Sequence, residues 1–509
     1  MRAAAPTLLD AAIWMHMRNE SLDELLQQGG DHRLITGTNG LSPYRVSLLP
    51  RETSSFGSCT ASNPGPRALN GAQHALDQWE ASGRSDAVLD KLQKKTRDGL
   101  RETFTLPVHT SIVLTPSGTD ALYLINALIH NRGRHAHHVV VGASELGGGT
   151  VRACEGRTFS GLRPFGGALV VGSDLEGLPY DCTAEAVYLR EEQGMRLDEA
   201  LIDLEVEQRV AAAAKPGVLV VVHLVAHSKT GLRAPSFLLA KRLTERYGDE
   251  VMVFVDAAQG RVAPADMRMA LKCGFVVLMT GSKFYSGPPF SGAIFLPAEW
   301  GIDPGPMPEA LHSWFDAASL PTAWIGARAS LPNAGNPGLT LRWRAAMAEI
   351  TTYHNIPPRQ RAAVYATFAG AVHEILGPCE ALDLEFPLPP THGLVTGLGA
   401  FPTVFGFRVR DDKGWLDAPQ MKQLHRMLDE TDLGILGLDE AHHLGQPVSL
   451  GPPGDDRRVL LRIALGARLV TDLANEPDAG GLWMREHIRA IRNKIEHLVQ
   501  TDIEVPSHG

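Results

Sequence analysis

Two apolar runs, Val251 to Val255 (VMVFV) and Phe275 to Met279 (FVVLM), give way abruptly to polar residues: Asp256-Ala257-Ala258-Gln259 after the first, Thr280-Gly281-Ser282-Lys283 after the second. Runs this short, rich in β-branched residues and without alternation read as strands buried on both faces, which implies a parallel sheet covered by helices. In open sheets of that kind, ligands bind beyond the carboxyl ends of the strands. Asp256 and Lys283, 27 positions apart, are thereby brought to one mouth. On these residues alone the pair is either a buried ion pair without chemistry or part of a site.

Two further stations lie upstream. Leu114-Thr115-Pro116-Ser117-Gly118-Thr119-Asp120-Ala121-Leu122 passes from an apolar run into an amphipathic stretch, and the amide-rich start of a helix suits a phosphate. Ser, Thr and Asp are equally the residues of an ordinary helix cap. Val218 to Leu224 (VLVVVHL) is another buried run, followed by Ala226-His227-Ser228-Lys229-Thr230-Gly231.

With SGTDAL, HSKTG, DAAQ and TGSK in this order, the chain resembles the fold-type I pyridoxal phosphate (PLP) enzymes, most closely their class V aminotransferase and cysteine desulfurase branch. The resemblance covers residues 110 to 297 well and the C-terminal part more loosely. It implies an α/β fold, with a large domain built on a mainly parallel seven-stranded sheet and a smaller C-terminal α+β domain. It also implies pyridoxal 5'-phosphate held as a Schiff base by Lys283, whose amine must be neutral to attack a carbonyl. Asp256 would pair with the ring nitrogen and keep it protonated, so that the ring accepts electron density from a substrate carbanion. Gln259 would contact the phenolic oxygen. Ser117, Gly118 and Thr119, with Thr280 and Ser282, would hold the phosphate through hydroxyls and helix-start amides.

Three positions depart from the branch. Ser282 replaces a common histidine. Ser228 stands where many relatives have an asparagine on the phenolic oxygen, and it has a shorter reach; His227 beside it either faces the site or is structural. Leu146, after Val139 to Glu145, takes the place of the histidine that stacks on the ring, and Gly147-Gly148-Gly149 is either a plain loop or room for a bulky substrate.

In Val459 to Gly466 (VLLRIALG), Arg462 is the one charge in an apolar strand, the place where family members grip the substrate α-carboxylate bidentately. The alternatives are a structural ion pair and the nearby Arg468. The loop from Asn333 to Arg342 either reaches the partner subunit's cofactor phosphate, as in class V relatives, or caps the long helix that follows. The resemblance implies a homodimer with shared sites.

Composition fits a large globular enzyme: 509 residues, 44% hydrophobic, 21% charged, net charge -9. Mild acidity and the lack of a basic tract with interleaved aromatics disfavour nucleic acid. No run of about 18 apolar residues suits a membrane span. Without a convincing signal peptide the cytoplasm is the default, and the five scattered cysteines are expected to be reduced. His135, His137, His138 and the pair His442-His443 lack metal-site spacing and are expected to be solvated or at helix ends, so no metal is expected. Neither a Walker loop nor a Rossmann GxGxxG after a strand is present.

The landmarks divide the chain into an N-terminal segment to residue 105 contributing to the site entrance, a PLP-binding α/β domain over 106–325, and a bridging helix with a small domain over 326–509. Helices are expected over His74 to Leu100, Ser236 to Tyr247, Ala418 to Asp429 and Leu482 to Val499, a further strand over Thr403 to Val409, and a connecting loop over Gly445 to Gly454. The core motifs do not report which bond at the substrate Cα is broken. Aminotransfer with an amino or keto acid leads by family frequency; a lyase or carbon–carbon bond-forming enzyme is second. Cysteine desulfurization is disfavoured because Cys379 lacks the surrounding Ser/Gly pattern. A PLP-fold binding module without catalysis is countered by the joint presence of Lys283, Asp256 and Gln259.

Overall fold

The computed structural model describes residues 20–178, 181–386, 394, 396–431, 438–450 and 458–500. Strand β1 is Ser54–Phe56. The large sheet comprises β2 (Ser111–Thr115), β3 (His135–Val141), β4 (Cys182–Val187), β5 (Val218–Val225), β6 (Val251–Ala257), β7 (Val276–Thr280) and β8 (Gly292–Leu296), in the order β2-β8-β7-β6-β5-β3-β4. Strands β3 to β7 run parallel, and β8 is antiparallel to both β2 and β7. Every residue of β6, β7 and β8 is buried, which explains why their sequences are continuous apolar runs rather than alternating ones.

One face is filled by the helix Asp120–His130, buried from Asp120 to Ile129, together with Trp300, Trp314 and Trp324. The other meets the helices Glu199–Ala213, Phe237–Tyr247 and Pro264–Lys272. Ser236 caps the second of these by accepting from the Leu239 amide.

A smaller sheet follows, ordered β1-β11-β12-β10-β9, from β9 (Leu382–Glu385), β10 (Val404–Val409), β11 (His442–Ser449) and β12 (Val459–Ala464). It is antiparallel except at its edge, where β1 pairs with β11 in parallel. The helices Pro358–Leu376 and Pro477–Gln500 pack beside it and share its core with the large sheet. Between the sheets, Pro337–Asn355 carries buried residues on every side, including Arg342, Trp343 and Glu349.

Several expectations are corrected. The helix expected over His74 to Leu100 is two, Pro66–Ala81 and Asp86–Thr103, because Gly83 and Arg84 adopt left-handed backbone (φ 70° and 62°) and turn the chain. The stretch expected as a loop from Gly445 begins inside β11, and residues 451–457 lie outside the described residues. His442 and His443 are buried strand residues rather than solvated ones, with Ser54 Oγ 2.6 Å from His442 Nδ1. His138 is buried in β3 as well. No helix among the described residues is long and apolar enough to cross a membrane.

Candidate active site

Asp256 lies one residue before the end of β6, where the apolar run stops and the chain turns through Ala258. Its Oδ1 accepts from the Ala258 amide at 3.0 Å. Burial pushes the carboxyl above its ordinary range, against the pull of that amide and of Lys283. Lys283 follows β7 in a loop pinned from three directions. Ser62 Oγ donates to the Lys283 carbonyl at 2.9 Å, Phe284 N to the Gln259 carbonyl at 3.2 Å, and Gly281 N to the Ser291 carbonyl at 2.9 Å. At Gly281 a Cβ would lie 2.6 Å from Ala346 Cβ and 3.2 Å from the Trp343 ring, so glycine alone lets this loop lie on the helix Pro337–Asn355.

The Lys283 amine has no hydrogen-bond partner among the described residues. Burial lowers its pKa; Asp256 opposes this, while Arg462 and Arg261 add to it. A lysine so placed loses its proton more readily than an exposed one, as a nucleophilic amine must.

Lys283 and Asp256 face one cavity with Ser117, Gly118, Thr119, Thr280 and Ser282, so the structure brings these expected residues together. Their hydroxyls are not equally free. Thr280 Oγ1 already donates to the Ala258 carbonyl at 2.6 Å, and Ser117 Oγ to Asp120 Oδ2 at 2.7 Å while receiving the Thr119 and Asp120 amides at 3.2 Å. Ser117 thus shapes the helix start rather than offering its own proton. Ser291, from the turn after Lys283, lines the cavity with a buried Oγ that has no partner among the described residues. A Cβ at Gly147 would come 3.2 Å from Thr150 Oγ1 and 3.3 Å from Thr119 Oγ1, so that glycine keeps both hydroxyls open to one space.

Other expected residues are placed elsewhere. Gln259 is buried away from the cavity: its Nε2 donates to the Cys59 carbonyl and its Oε1 accepts from Arg261 Nη1, both at 2.9 Å. Ser228 Oγ donates to Glu145 Oε2 at 2.5 Å and accepts from the Thr230 and Leu232 amides at 3.2 and 3.0 Å. His227 Nδ1 donates to the Ser228 carbonyl at 3.0 Å. Leu146 packs in the core behind the cavity, and Gly147 takes the exposed position.

Arg462 is 1% exposed and bound to oxygens without formal charge: Gln446 O at 2.6 Å, Lys229 O at 3.1 Å and Thr60 Oγ1 at 2.8 Å. Thr60 in turn lines the cavity. Arg468 instead faces Asp472 at 3.7 Å. Lys229 joins the same electropositive group: burial, then Arg462 and Lys283, bring its pKa down to about 8, with Glu145 opposing. The Cys379 thiol, pushed up to about 11 by burial and by its hydrogen bond to Glu496, is a poor nucleophile. The loop before the helix Pro337–Asn355 caps it, Asn336 Oδ1 accepting from the Leu339 amide at 2.9 Å.

Sequence reasoning missed the cavity's outer wall. Arg33 reaches it from the N-terminal segment, fixed by Asp31 (Nε to Oδ1, 2.9 Å) and donating to the Tyr44 hydroxyl at 3.1 Å, with its guanidinium 4.9 Å from the Phe290 ring centre. No motif surrounds Arg33 or Tyr44. Ser291 and Thr150 were visible only as members of the Lys283 and glycine-rich stretches.

No family model and no curated protein sequence matches the chain. Among solved structures, it is similar to a NifS-like protein (12% identity, 88% of this chain and 100% of that one, TM-score 0.53). It is also similar to a C-DES mutant with glycine covalently linked to the PLP cofactor (13%, 87% and 97%, 0.51) and to Oryza sativa TDC with PLP and tryptamine (14%, 97% and 90%, 0.50). The fold is that of the fold-type I PLP-dependent transferases.

Proposed function

We propose that the chain is a PLP-dependent enzyme that acts on an amino acid or keto acid, most simply as an aminotransferase, with Lys283 as the residue that carries the cofactor. The observation behind this reading is the unpartnered Lys283 amine facing the same cavity as the buried Asp256 carboxyl. The cavity suits the cofactor on its own chemistry: a buried carboxyl for a ring nitrogen, and at the helix start the free hydroxyls of Thr119, Ser282 and the orphaned Ser291 for a phosphate. Bound there, pyridoxal 5'-phosphate would supply a carbonyl that condenses with amines and a ring that takes up an electron pair.

The residues divide the remaining work. Asp256 would hold a proton at the ring nitrogen. Lys283, deprotonated at lower pH than an exposed lysine, would hold the cofactor through its amine and, when that amine is free, is placed to carry a proton at the substrate Cα. Arg462 supplies positive potential at the carboxylate end and orients Thr60 through its 2.8 Å bond. Ser228 and Gln259 act behind the site, by fixing Glu145 and Arg261. A lyase or carbon–carbon bond-forming reaction is the second reading, favoured by Gly147, which leaves the cavity wall open where a stacking side chain would restrict a larger substrate. The reading includes a homodimer, which sedimentation checks.

Purified protein loaded with pyridoxal 5'-phosphate is expected to show a visible absorbance band that Lys283→Ala abolishes. A wild-type chain that takes up no cofactor would sink the proposal. Incubation with a panel of amino acids then separates the reactions: keto acid release with conversion of the cofactor to pyridoxamine phosphate means aminotransfer, whereas loss of carbon dioxide or a side-chain fragment means a lyase. Arg462→Ala is expected to raise the amino acid concentration needed for half-saturation while the visible band persists.

A further inference from the structure

The cavity that Asp256 lines also reaches His223, one of a buried histidine pair outside the machinery described above. His223 lies on β5 opposite Phe254 of β6, and Val225 opposite Asp256. His223 and Asp256 are therefore diagonal neighbours on one face of the sheet, and both line the cavity. His223 Nε2 is 2.9 Å from His138 Nδ1, and His138 Nε2 is 2.7 Å from Asn126 Oδ1.

The direction of these bonds is determined. Asn126 Nδ2 donates to the carbonyls of Ala153 and Cys154 at 3.2 and 3.1 Å, so its oxygen must face His138. A carbonyl oxygen only accepts, so His138 carries its proton on Nε2 and presents a bare Nδ1. His223 must then donate through Nε2. Both rings are neutral, because burial holds each well below the ordinary histidine range. One proton per ring leaves His223 Nδ1 bare, and this atom is buried without a partner among the described residues.

Cys154 Sγ lies 3.6 Å from His223 Nε2, so the three side chains form a candidate metal group. The 2.9 Å separation of the two ring nitrogens is that of a shared proton. Two nitrogens each about 2.0–2.1 Å from one tetrahedral ion would stand further apart. The geometry favours the hydrogen-bonded chain over the metal.

On this face of the sheet two acceptors are thus neighbours: the bare Nδ1 of His223 and the carboxylate of Asp256, whose Oδ1 also takes the Ala258 amide. Two acceptors facing one space are reconciled by a small group with two donor hydrogens. We propose that His223 is a positioning residue for Asp256: it holds a water that donates one hydrogen to Nδ1 and the other to the Asp256 carboxylate. That bond keeps the buried carboxylate ionised, and an ionised Asp256 keeps the proton on the cofactor ring nitrogen. The chain Asn126, His138, His223, water, Asp256 fixes each donor and acceptor from the core outward. This inference rests on the function proposed above.

Two nitrogen-15 NMR measurements test it. In the cofactor-free protein, labelled histidine is expected to show His138 and His223 both protonated on Nε2. In protein loaded with ring-labelled pyridoxal 5'-phosphate, the ring nitrogen signal is expected at the protonated position, to move to the unprotonated position in His223→Leu, and to return in His223→Gln, which restores an acceptor and a donor. A proton on His223 Nδ1, a stoichiometric metal ion in the purified protein, or a ring nitrogen unmoved in His223→Leu would each overturn the proposal. If His223→Leu fails to fold, the wild-type tautomers still decide. Expected tautomers in a chain that takes up no cofactor would support the histidine chain while overturning the proposed function.

Discussion

Arg190 and Glu385 are joined by two parallel hydrogen bonds, Nη1 to Oε1 at 2.8 Å and Nη2 to Oε2 at 3.0 Å, although Glu385 belongs to the small sheet and Arg190 follows β4, an edge strand of the large one. The same guanidinium reaches Glu145 through Nε at 2.6 Å. Glu145 is buried and also receives the Ser228 and Thr230 hydroxyls. One planar fork therefore ties the two sheets together beside the cavity, geometry that an ammonium cannot copy.

Replacing Arg190 by Ala is expected to destabilise the protein by about 3–5 kcal/mol, because Glu145 is left as a buried charge without its counter-ion. Arg190→Lys should lose less. Urea unfolding curves measure both; an alanine variant within about 0.5 kcal/mol of wild type would show that the fork carries no stability.

Stability should also depend on pH through Asp120. Burial raises its carboxyl from 3.8 to about 7, against the Ser117 hydroxyl that bonds it. The folded state therefore binds this proton more tightly than the unfolded state. The associated stability is present below the unfolded value and is lost as pH rises through the folded one. Asp120→Asn, which keeps an acceptor for Ser117, is expected to change little at pH ~4, near the unfolded value, and to stabilise by about 1–4 kcal/mol at pH ~8. An equal effect at both pH values would contradict the assignment.

Gln259→Leu separates a structural role from a cofactor contact. It removes the partners of the Cys59 carbonyl and of an Arg261 N–H, both buried, at a cost of about 1–3 kcal/mol. With the Gln259 amide facing away from the cavity, the visible band of the loaded protein should keep its wavelength. A displaced band would place the side chain on the cofactor after all.

Gly281→Ala should destabilise by about 1–3 kcal/mol through overpacking against Ala346, and Ala346→Gly in the same chain should recover part of that loss. The double-mutant cycle measures the coupling. Independent, additive effects would mean the loop has room to move.

The large sheet was legible because its strands are continuous apolar runs that end in polar residues, as Val251 to Asp256 does. Asp256, Lys283 and the turn at Gly118 follow directly from those ends. What was not legible comes from side-chain direction and from distant segments. Nothing in DAAQ shows that the Gln259 amide turns back to Cys59, 200 residues away in sequence. The glycine-rich stretch from Gly445 suggests a loop, yet much of it is strand because Gly445 faces Arg462 across the sheet, where a Cβ would meet Cys59 Sγ at 2.3 Å. His223 passed unnoticed inside an apolar strand, where one histidine carries no spacing signal.

The pairing of β1 with β11 joins residues 388 positions apart in sequence. During synthesis, Ser54 to Phe56 must wait for almost the whole chain before finding that partner, while the large sheet can close from segments made earlier. Thr60, which lines the cavity, and Ser62, which holds the Lys283 carbonyl, follow shortly after β1 and can settle only after that closure. A chain interrupted before residue 442 would therefore hold both Asp256 and Lys283 and still lack the wall that encloses them.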